Sequence, residues 1–179
     1  TAYEIPKRDW SSDVCSSDLS KLTGEWFALE ARRAFVLRVE SVFGNPADWS
    51  GRFGTMQKIV DTLEAGGEVR AFTDRVVSPS YAEDIAAATR HLLAHGQPGL
   101  YHCVNSGSAT WYELAEEAAR LLRVRPRLVP VSVNDVRMKA QRPAFCALSN
   151  RKLAGAGFAM PTWQNALERW LATRRRPPA

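Results

Sequence analysis

The sequence is poor in the residues that staple or metallate small proteins. It holds three cysteines, Cys15, Cys103 and Cys146, none of them in a Cys-x-x-Cys pair, and only three histidines. An odd cysteine count without such a pair excludes a disulfide scaffold or a zinc knuckle and suits a reducing, cytoplasmic setting. No stretch approaches the ~20 apolar residues of a membrane span, and the first residues lack the basic-then-apolar order of a signal peptide. A Gly-x-Ser-x-Gly nucleophile elbow is missing as well. So is an initiator methionine: the chain opens Thr1-Ala2-Tyr3, from which we expect the 179 residues to be a piece of a longer protein.

The glycines and histidines that are present do not fill these gaps. Gly155-Ala156-Gly157 precedes Phe158 and Pro161 instead of opening a helix after a strand, so it does not read as a dinucleotide loop. His91 and His95 lie four apart on one helix, but no acidic residue stands between them as a metalloprotease pattern requires. They read as helix-end residues that suit the helix dipole, and no metal site is expected there. Cys103 sits in an apolar strand and reads as core. Residue types and spacing alone assemble no complete active site.

What remains describes an ordinary soluble chain, 45% apolar and 24% charged. Its length suits one domain that buries roughly 70% of its unfolded surface. The net charge is +5, and three of the 24 basic residues form the terminal run Arg174-Arg175-Arg176 ahead of Pro177-Pro178. Scattered arginines without an aromatic-studded basic stripe do not suit nucleic acid; a positive balance does suit a small anion such as a diphosphate.

Along the chain, residues 1–19 read as an aberrant segment. From Lys7 to Leu19 the tripeptide Ser-Ser-Asp repeats and no period emerges, so this block reads as loop, foreign to the regular sequence after it. Ser20 is expected to cap a helix running to about Ala34, with Leu22, Trp26 and Leu29 on one face. Strands are expected at Phe35 to Val39, Val69 to Phe72, Leu100 to Val104 and Leu128 to Val131. Helices are expected through Met56, Ile59, Val60 and Leu63, stopped by Gly66-Gly67, and through Ile85, Ala88, Thr89, Leu92 and Leu93. Ser78-Pro79-Ser80 is expected to cap the second of these. Thr110 and Glu113 form a capping box, Ser149 starts a short helix, and Thr162 caps a last one bearing Trp163, Ala166, Leu167, Trp170 and Leu171. Strands alternating with helices of this length predict an α/β domain over residues 20–173, followed by a basic tail at 174–179.

Five patches in order carry a resemblance. They are Ser20-Lys21-Leu22-Thr23-Gly24-Glu25; Val36-Leu37-Arg38-Val39 with Val42-Phe43-Gly44; and Thr73-Asp74-Arg75 with Ser78-Pro79-Ser80-Tyr81 and Asp84-Ile85-Ala86. The fourth joins Gly99-Leu100-Tyr101-His102 to Gly107, Thr110-Trp111 and Glu113-Leu114-Ala115. The fifth joins Arg142-Pro143, Leu148-Ser149 and Lys152-Leu153 to Trp163 and Ala166-Leu167. Together they resemble the C-terminal part of extended short-chain dehydrogenases, and most closely the dTDP-4-dehydrorhamnose reductase family. UDP-sugar epimerases and dehydratases using NAD are the related alternative. A non-enzymatic sugar-nucleotide-binding module is the alternative from another class.

The resemblance implies an N-terminal Rossmann half that binds NADPH (or NADH) and a smaller C-terminal portion that binds a nucleotide-diphosphate sugar whose C4 ketone is reduced. It allows Mg2+ and a homodimer, and gives no reason to expect nucleic acid or membrane partners. It implies a Tyr-x-x-x-Lys pair in which the lysine holds the nicotinamide ribose and lowers the phenol's pKa. Lys21 matches the lysine in both its catalytic and its cofactor-binding role. Ser17 stands where the tyrosine belongs, and an alkyl hydroxyl lacks a phenol's acidity. The resemblance further places Ser41, Asp74, Arg75 and Arg142 around the nucleotide sugar. Asp74 and Arg75 can equally pair with each other, and Arg142 can simply fix a turn. Because the glycine-rich phosphate loop is missing from these residues, the chain is expected to be inactive by itself.

Overall fold

The computed structural model describes residues 16–45, 54–136 and 143–174 of the chain. The elements follow in the order α1 (Ser16–Leu29), β1 (Phe35–Arg38), β2 (Val42–Phe43), α2 (Thr55–Glu64), β3 (Glu68–Phe72), β4 (Val76–Val77), β5 (Ser80–Tyr81) and α3 (Ala82–His95). Then come β6 (Gly99–His102), β7 (Ala109–Thr110), α4 (Trp111–Leu122), β8 (Arg127–Val131), a 3-10 turn (Val133–Asp135), α5 (Arg151–Gly155) and α6 (Trp163–Thr173). This is the α/β alternation that the hydrophobic pattern predicts.

Strand pairing is mostly parallel and long-range. β1 lies beside β6 with Arg38 opposite His102, β3 beside β8 with Phe72 opposite Val131, and β2 beside β5; β4 and β7 run antiparallel. Parallel strands need a crossover, and here helices supply it and cover the faces. The larger core gathers α2, α4 and α6 around β3 through Val60, Leu63, Leu114, Ala118, Leu167 and Trp170. A smaller one packs α3 and α5 on β6 through Leu92, Tyr101, Cys103 and Leu153.

The helices that behave as expected have both a cap and a stripe. Thr110 Oγ1 accepts the Glu113 N–H at 3.1 Å, while the Glu113 carboxylate accepts the Thr110 N–H at 2.7 Å. Behind that cap Trp111, Leu114, Ala115, Ala118 and Ala119 are buried. In α6, Thr162 accepts the Asn165 N–H, and Trp163, Ala166, Leu167 and Trp170 face inward at helical spacing. Trp111, Trp163 and Trp170 are all buried.

Elsewhere tertiary structure overrides the local pattern. α1 begins at Ser16, inside the block expected to be loop, and stops at Leu29 instead of Ala34. Its expected inner face is largely outside: Trp26 is 53% and Leu29 41% exposed, because β1 is the chief element packed against this helix among the described residues. Ser80 does not cap α3. It belongs to β5, which runs directly into the helix, and its hydroxyl donates to the Ser78 carbonyl at 3.1 Å. Leu93 points outward, and α5 starts at Arg151, two residues after Ser149.

A buried polar node joins these layers. Asn105, 1% exposed, accepts the Tyr81 N–H at 2.7 Å and donates to the Asp84 carboxylate at 2.7 Å and to the Pro161 carbonyl at 3.1 Å. The same Asp84 oxygen accepts from Arg169 on α6 at 2.6 Å, and that guanidinium lies over the Tyr81 ring. Asp84 thereby ties α3 to α6. Removing the amide strands several buried groups at once, each costing about 1–3 kcal/mol. Asn105→Ala should therefore lose on the order of 3 kcal/mol in urea unfolding. A loss below about 1 kcal/mol would show that the node is not a structural requirement.

Candidate functional site

Open parallel sheets present their crevices at the carboxyl ends of the strands. At that end of β1 and β6, Arg38 and His102 stand opposite each other. Residues 30–34 turn the chain so that α1 runs back along β1. There the Arg38 guanidinium donates to both oxygens of Glu25, at 2.9 and 2.7 Å. That bidentate pair holds Glu25 below the usual carboxylate range: the Arg38 hydrogen bond acts most, burial opposes it, and the charges of Arg38 and His102 add to it. Lys21 lies one helical turn before Glu25, about 6 Å further along the axis, beyond the end of β1 and exposed. Ser17 is a turn earlier still in α1.

The chain leaving β1 forms the next wall. Ser41 adopts a left-handed conformation, φ 46°, uncommon for a residue with a Cβ. Its carbonyl accepts the Ser80 N–H at 3.3 Å, which leads into the β2–β5 pairing. Just before it, Glu40 Oε2 accepts the Ser78 N–H at 2.7 Å. Burial pushes the Glu40 carboxyl up, against the Ser78 bond and the positive charge of Arg75. The Arg75 Nε is buried and has no hydrogen-bond partner among the described residues.

A third wall comes from late in the chain. The Val76 N–H donates to the Ala144 carbonyl at 2.8 Å, the Cys146 N–H donates to the Val76 carbonyl at 2.9 Å, and the Leu148 N–H donates to Ser78 Oγ at 2.9 Å. The segment around Phe145 therefore lies along β4, beside Arg75. Arg142, two residues before Ala144, lies outside the described residues.

Asp74 points elsewhere. Its carboxylate accepts the Ser132 hydroxyl at 2.6 Å and the Val133 N–H at 3.0 Å, and these bonds, Ser132 first, hold its pKa down. It pins the 3-10 turn after β8 and does not pair with Arg75. The structure thus ties the Lys21 helix to the end of β1 through Glu25 and Arg38, and brings Ser41 and Arg75 around Glu40 just beyond it, with Asp74 turned to its neighbouring loop. Sequence reasoning passed over Glu25, Glu40 and Ser78. Glu25 and Arg38 both stood inside recognised patches, but nothing in a linear pattern says that their charges meet.

Other candidate chemistry resolves into structure. Burial, with the Asp84 charge, pushes the Cys103 thiol up to about 11, so it is no nucleophile at neutral pH. His91 Nε2 bonds the Ala156 carbonyl at 2.9 Å and its ring packs on His95 and Phe158. Among the described residues no three His, Cys, Asp or Glu side chains gather as metal ligands, and no helix is long and apolar enough to cross a membrane. A separate open groove on α4 and α6 is lined by Glu113, Glu116, Glu117 and Arg120. Its carboxylates suit no diphosphate, and Glu113 and Glu117 already serve the α4 cap and Arg120.

Comparison with known proteins decides the family. The family profile described as RmlD substrate binding domain matches residues 12–176. The chain belongs to that family. It is 31% identical to the spore coat polysaccharide biosynthesis protein SpsK of Bacillus subtilis over 86% of its length and 52% of the relative's. It is 30% identical to the dTDP-4-dehydrorhamnose reductase of Mycolicibacterium smegmatis over 94% of its length and 51% of the relative's. The structure of dTDP-4-dehydrorhamnose reductase from Bacillus anthracis in complex with NADP superposes with a TM-score of 0.78 at 25% identity, over 87% of this chain and 54% of that one. A dTDP-glucose 4,6-dehydratase from the same organism, 16% identical, shares the fold, with a TM-score of 0.70. The chain spans about half the length of the curated relatives it matches.

Within this family member the Glu25–Arg38 pair fixes α1, and hence Lys21, against β1. The unfolded Glu25 titrates near 4.5 and the folded one lower, so the pair's contribution is present above 4.5 and lost as the pH falls through the folded value. Glu25→Gln should lower the urea midpoint at neutral pH, and the difference from wild type should close as the pH drops below 4.5. A difference that persists unchanged into acid would contradict the pair.

Proposed function

We propose that these residues are the nucleotide-sugar-binding part of a reductase acting on the C4 ketone of a dTDP-4-keto-6-deoxy sugar. The observation that carries this reading is the convergence of α1, the Glu40–Ser41 loop, Arg75 and the residue 143–146 segment at the carboxyl ends of β1 and β6. Arg75 offers its guanidinium to the diphosphate, where a planar fork matches phosphate oxygens. Arg142, outside the described residues, is given the same diphosphate role by the family resemblance alone. Ser41, held in its left-handed turn, faces the sugar. Asp74 fixes the loop after β8 and so shapes the neighbourhood without contacting substrate.

The fit to a dinucleotide is poor. Among the described residues no glycine-rich turn joins a parallel strand to a helix N-terminus: β5 enters α3 directly through Tyr81, and β6 reaches α4 by way of β7. Lys21 is the residue to which the family resemblance gives the nicotinamide ribose. Ser17, at the family's tyrosine position, has no phenol to donate a proton. Hydride and proton transfer would therefore need groups beyond those of the described residues.

Isothermal calorimetry on the chain tests the reading. dTDP and dTDP-L-rhamnose should bind, and Arg75→Ala should weaken both by roughly tenfold or more, the value of a hydrogen bond to a charged group. NADPH should bind far more weakly than either and should not be oxidised. Ser17→Tyr should leave turnover at zero. Tight NADPH binding, turnover by either protein, or failure of both nucleotides to bind would overturn the proposal.

A further inference from the structure

Glu40 is absent from the set that the family pattern suggests, yet its position is unusual for a surface carboxylate. It follows the apolar run of β1 and precedes the left-handed Ser41, so it leaves the end of the sheet instead of lying on a face. One oxygen, Oε2, is fixed by the Ser78 N–H at 2.7 Å, and Ser78 is itself fully buried and tied to Leu148. That anchor removes the freedom a glutamate side chain normally keeps. The other oxygen, Oε1, makes no hydrogen bond among the described residues. Half-burial raises the group's pKa, which marks a partly dehydrated setting where a hydrogen bond counts for more.

Arg75 completes the pattern. Its charge acts on Glu40, but the two close no ion pair, and its buried Nε is unsatisfied. The Ser78 bond holds Glu40 against the strand that Arg75 leads into, so an acceptor and a cation face the same half-dry place, each with unused valence. A ligand carrying both hydroxyl donors and phosphate acceptors satisfies both at once. A free phosphate or a bare nucleotide satisfies only the arginine.

Resting on the function proposed above, we infer that Glu40 is a specificity-determining residue whose Oε1 accepts a hydroxyl of the sugar ring while Arg75 takes the diphosphate. The pre-set carboxylate favours a sugar with a hydroxyl donor at that position. It disfavours one bearing a carboxylate or phosphate there, which it would repel.

The test compares dTDP with dTDP-L-rhamnose on the whole chain by calorimetry, in wild type, Glu40→Gln and Glu40→Ala. The measured quantity is the ratio of the two dissociation constants. Gln keeps an oxygen for the Ser78 N–H and so keeps the loop, but loses the charge on the acceptor. The advantage of dTDP-L-rhamnose over dTDP should fall several-fold in Glu40→Gln and at least tenfold in Glu40→Ala, a charge-assisted hydrogen bond being about twice as strong as a neutral one. Affinity for dTDP alone should stay within about twofold of wild type in Glu40→Gln, since Arg75 is intact. An unchanged ratio in both variants overturns the inference and leaves the binding function standing. So does an equal weakening of both ligands in Glu40→Gln, which marks a purely structural role. If the wild-type chain binds neither ligand, the function itself falls, and Glu40's role with it.

Discussion

The hydrogen bonds of one buried side chain amide set the relation among the parts of this fold. Asn105 leaves β6 at the edge of the smaller core, reaches the backbone of β5 at Tyr81, and meets Asp84 on α3, which is paired with Arg169 on α6. β5 is the strand that pairs with β2, directly after the Glu40–Ser41 loop. The node therefore holds the loop's partner strand at a set height relative to β1 and β6. A buried carboxylate is expensive to desolvate, and losing Asn105 or the half-exposed Arg169 would leave Asp84 short of a partner. Their use here is positional: apolar packing alone would let β5 slide.

Much of the fold was legible because helix caps and apolar periodicity are local. Thr110 and Glu113 fix the start of α4 whatever surrounds them, and the Trp163, Ala166, Leu167 and Trp170 stripe has only one way to be buried. The failures occur where a residue's neighbour lies far along the chain. Ser80 looks like a cap, but it is drawn into a strand by Ser41, and the Trp26 face of α1 finds no layer to cover it among the described residues. Local pattern states which face is apolar; it does not state that anything sits on it.

The site divides in the same way. Lys21, Ser41 and Arg75 come from motif resemblance; the fold puts Ser41 and Arg75 in the chain around Glu40 and Lys21 on the helix that Glu25 ties to Arg38. Asp74 is adjacent to Arg75 in sequence, but at the bend after β3 its carboxylate is taken by Ser132 and the Val133 N–H, 58 and 59 positions on. Glu25 and Glu40 were invisible as site residues because their partners, Arg38 and Ser78, are 13 and 38 positions away. Charge type can be read from a sequence; the hydrogen bond that immobilises it cannot.

The parallel pairing has a consequence in time. Phe35 of β1 pairs with Gly99 of β6, and Glu68 of β3 with Arg127 of β8. At about 5–20 residues per second, β1 leaves the ribosome roughly three to thirteen seconds before its partner strand exists. Throughout that interval the apolar residues Phe35, Val36 and Leu37 lack the partner strand they have in the folded chain, and α1, the helix before β1, leaves Phe27 70% exposed even when folding is complete. Parallel pairing thus makes β1 wait for sequence far downstream before its backbone is satisfied on that edge.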